Sequence, residues 1–238
     1  RDRFRSEPIA PEVLQDMLEA ASRASTCGNM QLYSLIVTQS RELREALAPC
    51  HFNQPMVTQA PCVITVCADV HRFSMWCEQR DAEPCYDNFA WFLNGVTDAL
   101  LAAQNLCVEA EAHGLGICYL GTTIYTAEEI ARILDLPKGV IPVTTIVVGH
   151  PDESPELTDR LPLDAVVHCE KYHHYTSSEI DELWAEKETS EETRRLLEEN
   201  GLPNLAQIFT RNRYRAEDNL AISRNYFALL KKQGFFNN

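Results

Sequence analysis

HGLGICYLG, residues 113–121, is the densest run of glycine in the chain, and its reading decides the fold. A dinucleotide-binding loop places three closely spaced glycines after a strand and at the mouth of a helix, where amide groups meet phosphate. Here the glycines stand at 114, 116 and 121, so the third falls two residues late. The context is also reversed. LLAAQNLCVEAEA upstream reads as the end of a helix, and ICYL downstream reads as a short strand. Gly114 then serves as a helix C-cap. Any cofactor held here is not held in the Rossmann manner.

The helix that ends at this glycine runs back to Asp87. Between residues 88 and 108 its only charged side chain is Asp98. Asn88, Asn94, Asp98, Gln104 and Asn105 argue against a membrane span. At 3.6 residues per turn, Asp87, Asn94, Asp98, Asn105 and Glu109 share one narrow stripe, and nearly everything else is apolar. A helix that is apolar on most sides is buried on most sides. One sheet cannot cover it all, which predicts a central helix that also packs on a second subunit.

Working outward, PEVLQDMLEAAS predicts a helix with Pro11 at its start and Val13, Leu14, Met17, Leu18 and Ala21 on one face. MQLYSLIVTQ, PCVITVCAD and VIPVTTIVVGHP read as strands. Ser40 is a candidate N-cap for a short helix over RELREALA. Thr126 with Glu129 predicts a capping box for a helix that Pro137 ends. Residues 77–86 read as a charged loop, and a fifth strand is a candidate within LDAVVHCEKY. Alternation of helix and strand predicts a layered α/β sandwich. From residue 176 the character changes. Residues 177–200 hold nine acids and three bases, and residues 203–238 hold six bases and two acids. This predicts a core over 1–175 and a helical extension over 176–238 that wraps on the core or a partner subunit.

The net charge of −14 excludes a nucleic-acid or anionic-membrane function, since both need a basic footprint. The nine cysteines form no CxxC pair and no secretory leader is visible, which predicts reduced, mostly buried thiols in a cytoplasmic protein, Cys107 and Cys118 among them. GxSxG, Walker A and HExxH patterns are absent. Glu109 with His113 reads as a surface ion pair rather than a metal site, and His173–His174 as a polar loop. With no nucleophile, metal cluster or paired carboxylates, chemistry calls for a borrowed cofactor. Three segments offer contacts for one. Ser25, Thr26, Asn29 and Gln31 around Gly28 suit a polar ring edge, although Gly28 also fits a bare helix cap. Arg160 in DRLP suits a phosphate clamp. Arg211, Arg213 and Arg215 make a positive patch suited to a polyanionic small molecule or to an interface with the acidic helix before it.

Taken in order, FRSEPI, ASRASTCGNMQ, NQPMVTQAP, the long apolar helix, GLGICYLG, and DRLP followed by VVHCEKY resemble the nitroreductase family, most closely its NADPH-preferring flavin reductase branch. The resemblance covers nearly the whole chain. It implies an α+β fold: a central mixed β-sheet flanked by helices, a long buried central helix and a C-terminal helical extension. It implies a homodimer with one FMN per subunit at the interface and NADPH, or NADH, as co-substrate. Thr26, Gln54, Tyr119, Leu120, Gly121 and Thr122 would contact the flavin. Arg160, with Thr158 beside it, would grip the phosphate, where the family often has a lysine. Arg1 or Arg3 would be the surviving N-terminal arginine. Arg211, Arg213, Arg215 and Arg224 would meet the NADPH phosphates. The reaction implied is hydride transfer through flavin N5 to nitroaromatic, quinone or flavin acceptors, with no side-chain nucleophile and no metal. A specialised member such as a reductive dehalogenase, or a flavin-binding redox sensor, stands as the alternative.

Overall fold

The structure is a computed structural model that describes residues 2–237. Residues up to Ser154, with those from Ile222 onward, form one compact unit, and Pro155–Ala221 form a second.

In the first unit α1 (Pro11–Ser22) starts with its proline in the first turn, where a missing N–H costs nothing. Strand β1 (Tyr33–Thr38) follows, then α2 (Arg41–Leu47), whose N-cap Ser40 accepts from Leu43 N–H at 3.3 Å. A single turn, α3 (Met56–Gln59), leads into β2 (Cys62–Asp69), all eight residues of which are buried. Helix α4 (His71–Glu78) was not foreseen: it takes the start of the segment expected to be loop. The 24-residue helix α5 (Phe89–Ala112) begins at Asn88, whose side chain accepts from Trp91 N–H at 3.2 Å. It ends as expected at Gly114, with φ of +75°. Gly114 N–H bonds to Glu111 C=O and Leu115 N–H to Ala110 C=O, both at 2.9 Å. That pair of bonds is a Schellman cap, and its left-handed residue favours glycine. Strand β3 (Gly116–Leu120), helix α6 (Ala127–Ile133) and strand β4 (Val140–Gly149) complete the core order.

The strands form one sheet in the order β1-β2-β4-β3, and every pairing is antiparallel. The α+β class holds, but the described sheet is neither mixed nor part of an α/β sandwich. Helix–strand alternation carries no information on strand direction. Here the 3₁₀ turn Gly121–Ile124 turns the chain between β3 and its antiparallel neighbour β4. Pro142 lies on a central strand, where it cannot donate a ladder bond. The register shifts at that point, between Val66 and Cys67 of β2. The Pro142 C=O accepts from Tyr226 Oη at 2.9 Å.

Helices α1 and α5 cover one face of the sheet. Met17, Ala21, Ile64, Ala99, Ala102, Leu106 and Ile146 are wholly buried in that layer. Each aliphatic side chain of Leu or Ile size so buried contributes about 1.5–3 kcal/mol. Of the polar stripe of α5 only Asp98 is buried, at 1% exposure; Asn94 and Glu109 are half-buried, and the exposed Asn105 donates from Nδ2 to Ala20 C=O at 3.2 Å. The face left outside is rich in large apolar side chains, with Phe89, Leu93, Leu100, Leu101 and Val108 exposed around Thr97 and Gln104.

The expected capping box on α6 does not form. Thr126 Oγ1 donates to Cys50 C=O at 2.7 Å, and Glu129 pairs with Arg132 instead. A backbone carbonyl in reach of the hydroxyl competes with the cap.

The second unit holds α7 (Ser177–Thr189), α8 (Glu191–Asn200), α9 (Leu205–Ile208) and the start of α10 (Ala216–Lys232). A capping box does form here, between Thr176 and Glu179. No fifth strand forms within residues 163–172. Val166 and Val167 N–H both bond back to Leu163 C=O, which closes a tight turn after Pro162 and uses groups a ladder would need. From Ile222 the chain belongs to the first unit, where Leu229, Leu230 and Phe235 pack with Leu32, Val70, Phe92 and Ile141.

Candidate functional site

The end of edge strand β3 organises the site. Tyr119 lies half-buried with its hydroxyl 3.5 Å from Gln104 Oε1, and Leu120 sends its side chain into the core beside Val63 and Val147. Leu120 therefore offers only its backbone to a ligand. Gly121 follows, and a Cβ there would meet no atom within 4 Å. Thr122 is buried, with Oγ1 2.8 Å from Nδ1 of His51.

His51 is 0% exposed, and burial pulls its imidazole down to about 4, so it is neutral at physiological pH. Its Nε2 has no partner among the described residues. Directly after it, Phe52 and Asn53 both take φ of 55°, which swings the chain to Gln54. Gln54 N–H bonds back to His51 C=O at 3.1 Å. The His51–Thr122 bond thus brings the Gln54 loop and the Gly121–Thr122 step together.

Thr26 sits on a different turn. Residues 27–29 form a 3₁₀ turn, and Gly28, Asn29 and Gln31 have φ of 56°, 54° and 54°. Gly28 therefore does not cap α1, whose C-cap is Arg23. Thr26 Oγ1 accepts from Gln31 N–H at 3.3 Å, while Ser25, Gly28, Asn29 and Gln31 are exposed. Beneath them the Asp98 carboxylate accepts from Cys27 N–H at 2.9 Å and Leu32 N–H at 3.1 Å. Among the described residues no hydrogen bond links Thr26 to Gln54 or to Tyr119–Thr122.

At the N-terminus, Phe4 bridges Pro151, and Arg5 N–H bonds to His150 C=O at 2.9 Å. Arg3 is held loosely by Glu153, Nε to Oε2 at 3.4 Å. Arg1 lies outside the described residues. In the second unit Thr158 and Arg160 do come together: Arg160 Nη1 donates to Thr158 Oγ1 at 2.7 Å and to Asp159 C=O at 2.8 Å. Both residues are exposed.

The three arginines of TRNRYR, residues 210–215, differ. Arg215 is engaged by Asp218 at 2.7 Å and Glu217 at 3.0 Å, both after it in the chain rather than on the acidic helix before it. Arg213 lies 5.4 Å over the Phe209 ring. Arg211 and Arg213 are exposed on the π-helical turn Phe209–Arg213, and Arg224 is exposed on α10.

All nine cysteines are free thiols. Cys107 is core as expected, whereas Cys118 is only half-buried. Burial pushes Cys62 and Cys67 up to about 12 and Cys107 to about 11, so they stay protonated and inert. His113 bonds Glu109 at 3.1 Å and Asp16 at 3.3 Å, the expected ion pair with a second acid added. His173 pairs with Glu179 at 2.9 Å. Among the described residues no group of three or more His, Cys, Asp or Glu is placed to hold a metal, and no helix is long and apolar enough to cross a membrane.

The sequence reading missed His51 and the anchoring role of Asp98. PCHFNQP carries no pattern that marks its histidine. Asp98 did leave a signal, as the lone charge in an otherwise uncharged stretch of helix.

A family model described as the nitroreductase family matches residues 1–150. The chain belongs to the nitroreductase family. Within it, an NADPH-dependent oxidoreductase of Staphylococcus aureus (strain USA300) is 34% identical over 175 residues, 72% of this chain and 69% of that protein. A protein of Bacteroides fragilis NCTC 9343, provisionally described as an oxidoreductase, superposes with a TM-score of 0.97 at 48% identity, covering 99% of this chain and 96% of its own. The NADPH:FMN oxidoreductase from Vibrio harveyi, solved with NAD+, gives 0.81 at 25% identity over 100% of this chain and 94% of its own. Family membership makes the chain an oxidoreductase with the nitroreductase fold.

Proposed function

We propose that this chain is an FMN-dependent NADPH oxidoreductase that works as a homodimer. The observation that carries the reading is the step at Gly121. The backbone of an edge strand ends there against open space, with no Cβ in the way of a flat ring, between the half-buried Tyr119 and the Gln54 loop. Such a shelf suits an isoalloxazine whose edge is met by backbone and amide groups. The exposed polar turn at Thr26 suits the same ring's heteroatoms, and Thr158 with Arg160 suits a phosphate. Support comes from the oxidoreductase names of two relatives, both of which include NADPH and one of which includes FMN.

FMN bound there would supply two-electron hydride chemistry, through its N5, between NADPH and a nitroaromatic, quinone or flavin acceptor. The chain's own residues bind and orient. Gln54 and Thr26 hydrogen-bond the cofactor. Tyr119, Leu120, Gly121 and Thr122 line it, Leu120 by its backbone. Arg160 and Thr158 take the phosphate with an N-terminal arginine, Arg1 or Arg3. Arg211, Arg213, Arg215 and Arg224 meet the NADPH phosphates. The exposed apolar face of α5 joins two copies of the chain, which covers the surface that one copy leaves open.

Two tests address the residue roles. Arg160→Ala should weaken FMN retention about tenfold or more, the worth of a charge-assisted contact, while leaving the fold intact. Full retention of FMN through gel filtration would remove Arg160 from the site. Replacing Arg211, Arg213 and Arg215 together by alanine should raise the apparent KM for NADPH more than that for NADH, because only NADPH carries a 2′-phosphate. Equal changes would refute the assignment.

A further inference from the structure

Among the described residues Asp98 is the one buried carboxylate on α5, at 1% exposure, and it has no ion pair there. Burying a carboxylate in an apolar layer is unfavourable unless its charge is compensated. Its compensation is entirely main-chain. Oδ1 accepts from Cys27 N–H at 2.9 Å, and Oδ2 accepts from Leu32 N–H at 3.1 Å. The two amides bracket the exposed turn that holds Gly28, Asn29 and Gln31 in left-handed conformations. Asn tolerates that conformation, but for Gln it is costly and persists only where the surroundings impose it. Arg72 closes the far side, donating to the Gln31 and Tyr33 carbonyls.

The turn buries little of its own. Ser25, Cys27, Gly28, Asn29 and Gln31 are exposed, and the next residue, Leu32, is wholly buried. A buried side chain with two acceptor oxygens thus fixes an outward-facing set of polar groups that contributes little to the core. We infer that Asp98 is a positioning residue for the cofactor: it holds the Thr26–Gln31 turn in the shape that meets the flavin. This rests on the flavin reading above. An acceptor with two oxygens is required, because each takes a different amide. Asparagine keeps the size but offers one acceptor and one donor, so its NH₂ group faces an N–H and one bracket is lost.

The test is titration of the flavin-stripped protein with FMN, read by quenching of flavin fluorescence, on the parent, Asp98→Asn and Leu106→Ala. Leu106 is wholly buried on the same helix about two turns from Asp98, so its truncation loosens the fold without touching the turn. Asp98→Asn is expected to raise the Kd for FMN tenfold or more. Leu106→Ala should lower Tm and leave the Kd within twofold of the parent. An Asp98→Asn protein that binds FMN within twofold of the parent overturns the inference and leaves the flavin reading standing. So does equal weakening by Leu106→Ala, which would make the effect one of general stability. A parent that binds no FMN overturns both. Should Asp98→Asn not fold, amide exchange on the stripped parent decides: slow exchange at Cys27 and Leu32 beside fast exchange at Gly28 and Asn29 supports the bracket, and fast exchange at all four refutes it.

Discussion

The double variant Leu100→Glu, Leu101→Glu is expected to elute as a monomer and to lose its flavin. Both leucines lie on the face of α5 that carries Phe89, Leu93 and Val108 and is left open by the fold of one chain. In a free monomer the substitution is close to neutral, because exposed positions away from special contacts change stability by roughly 0.5 kcal/mol or less. In a twofold dimer each new carboxylate appears twice and is taken out of water against apolar side chains. The cost is several kcal/mol per buried charge, enough to weaken association about a thousandfold or more. Sedimentation at a fixed chain concentration, with absorbance read at both protein and flavin wavelengths, checks assembly and cofactor together. A dimer that retains flavin in the double variant would mean that α5 is not the interface.

The second large effect is a loss of stability in mild acid that traces to one side chain. His51 has a folded pKa of about 4 against an ordinary value near 6.5, because burial penalises its charged form. Above pH 6.5 the residue is neutral whether the chain is folded or not, and it contributes no pH dependence. As pH falls below 6.5 the unfolded chain takes up a proton that the folded chain refuses. Stability then drops by about 1.4 kcal/mol per pH unit until the folded pKa is reached, about 3 kcal/mol in all. Carboxylates held low by partners, such as Glu179 and Asp159, also lose stability in acid, but at lower pH. Comparison with His51→Gln, which cannot titrate, isolates the histidine. The gap between the two proteins in urea midpoint should narrow steadily from pH 6.5 to 4. Parallel curves would mean that the ring is protonated inside the fold. Because Nδ1 of His51 holds Thr122, the same titration also acts on the turn that follows Gly121.

Sequence patterns carry the helix and strand order well where local chemistry dictates it. Pro11, Ser40 and Gly114 mark helix ends that the structure has where they were placed, because each acts through its own backbone or a neighbour's. Thr126 shows the limit. Its hydroxyl met a carbonyl from a distant segment, Cys50, and the local capping pattern lost. Strand direction was not legible, since a run such as PCVITVCAD is apolar whichever way its neighbours point. The polar stripe of α5 was visible, but its surroundings were not: only the folded chain shows that Asp98 alone of the stripe is buried, that it serves two amides far away in sequence, and that a second set of large apolar side chains is left exposed. The site divides in the same way. Gly121 stands out as a sequence feature, whereas His51 matters only through its contact with Thr122 across 71 residues.

The most direct test of the account is the visible absorption spectrum of the purified protein, recorded without oxygen before and after NADPH is added. A flavin band that bleaches on addition of NADPH is the predicted result. A protein that carries no flavin and does not take up added FMN, or a flavin band that NADPH leaves unchanged, would contradict it.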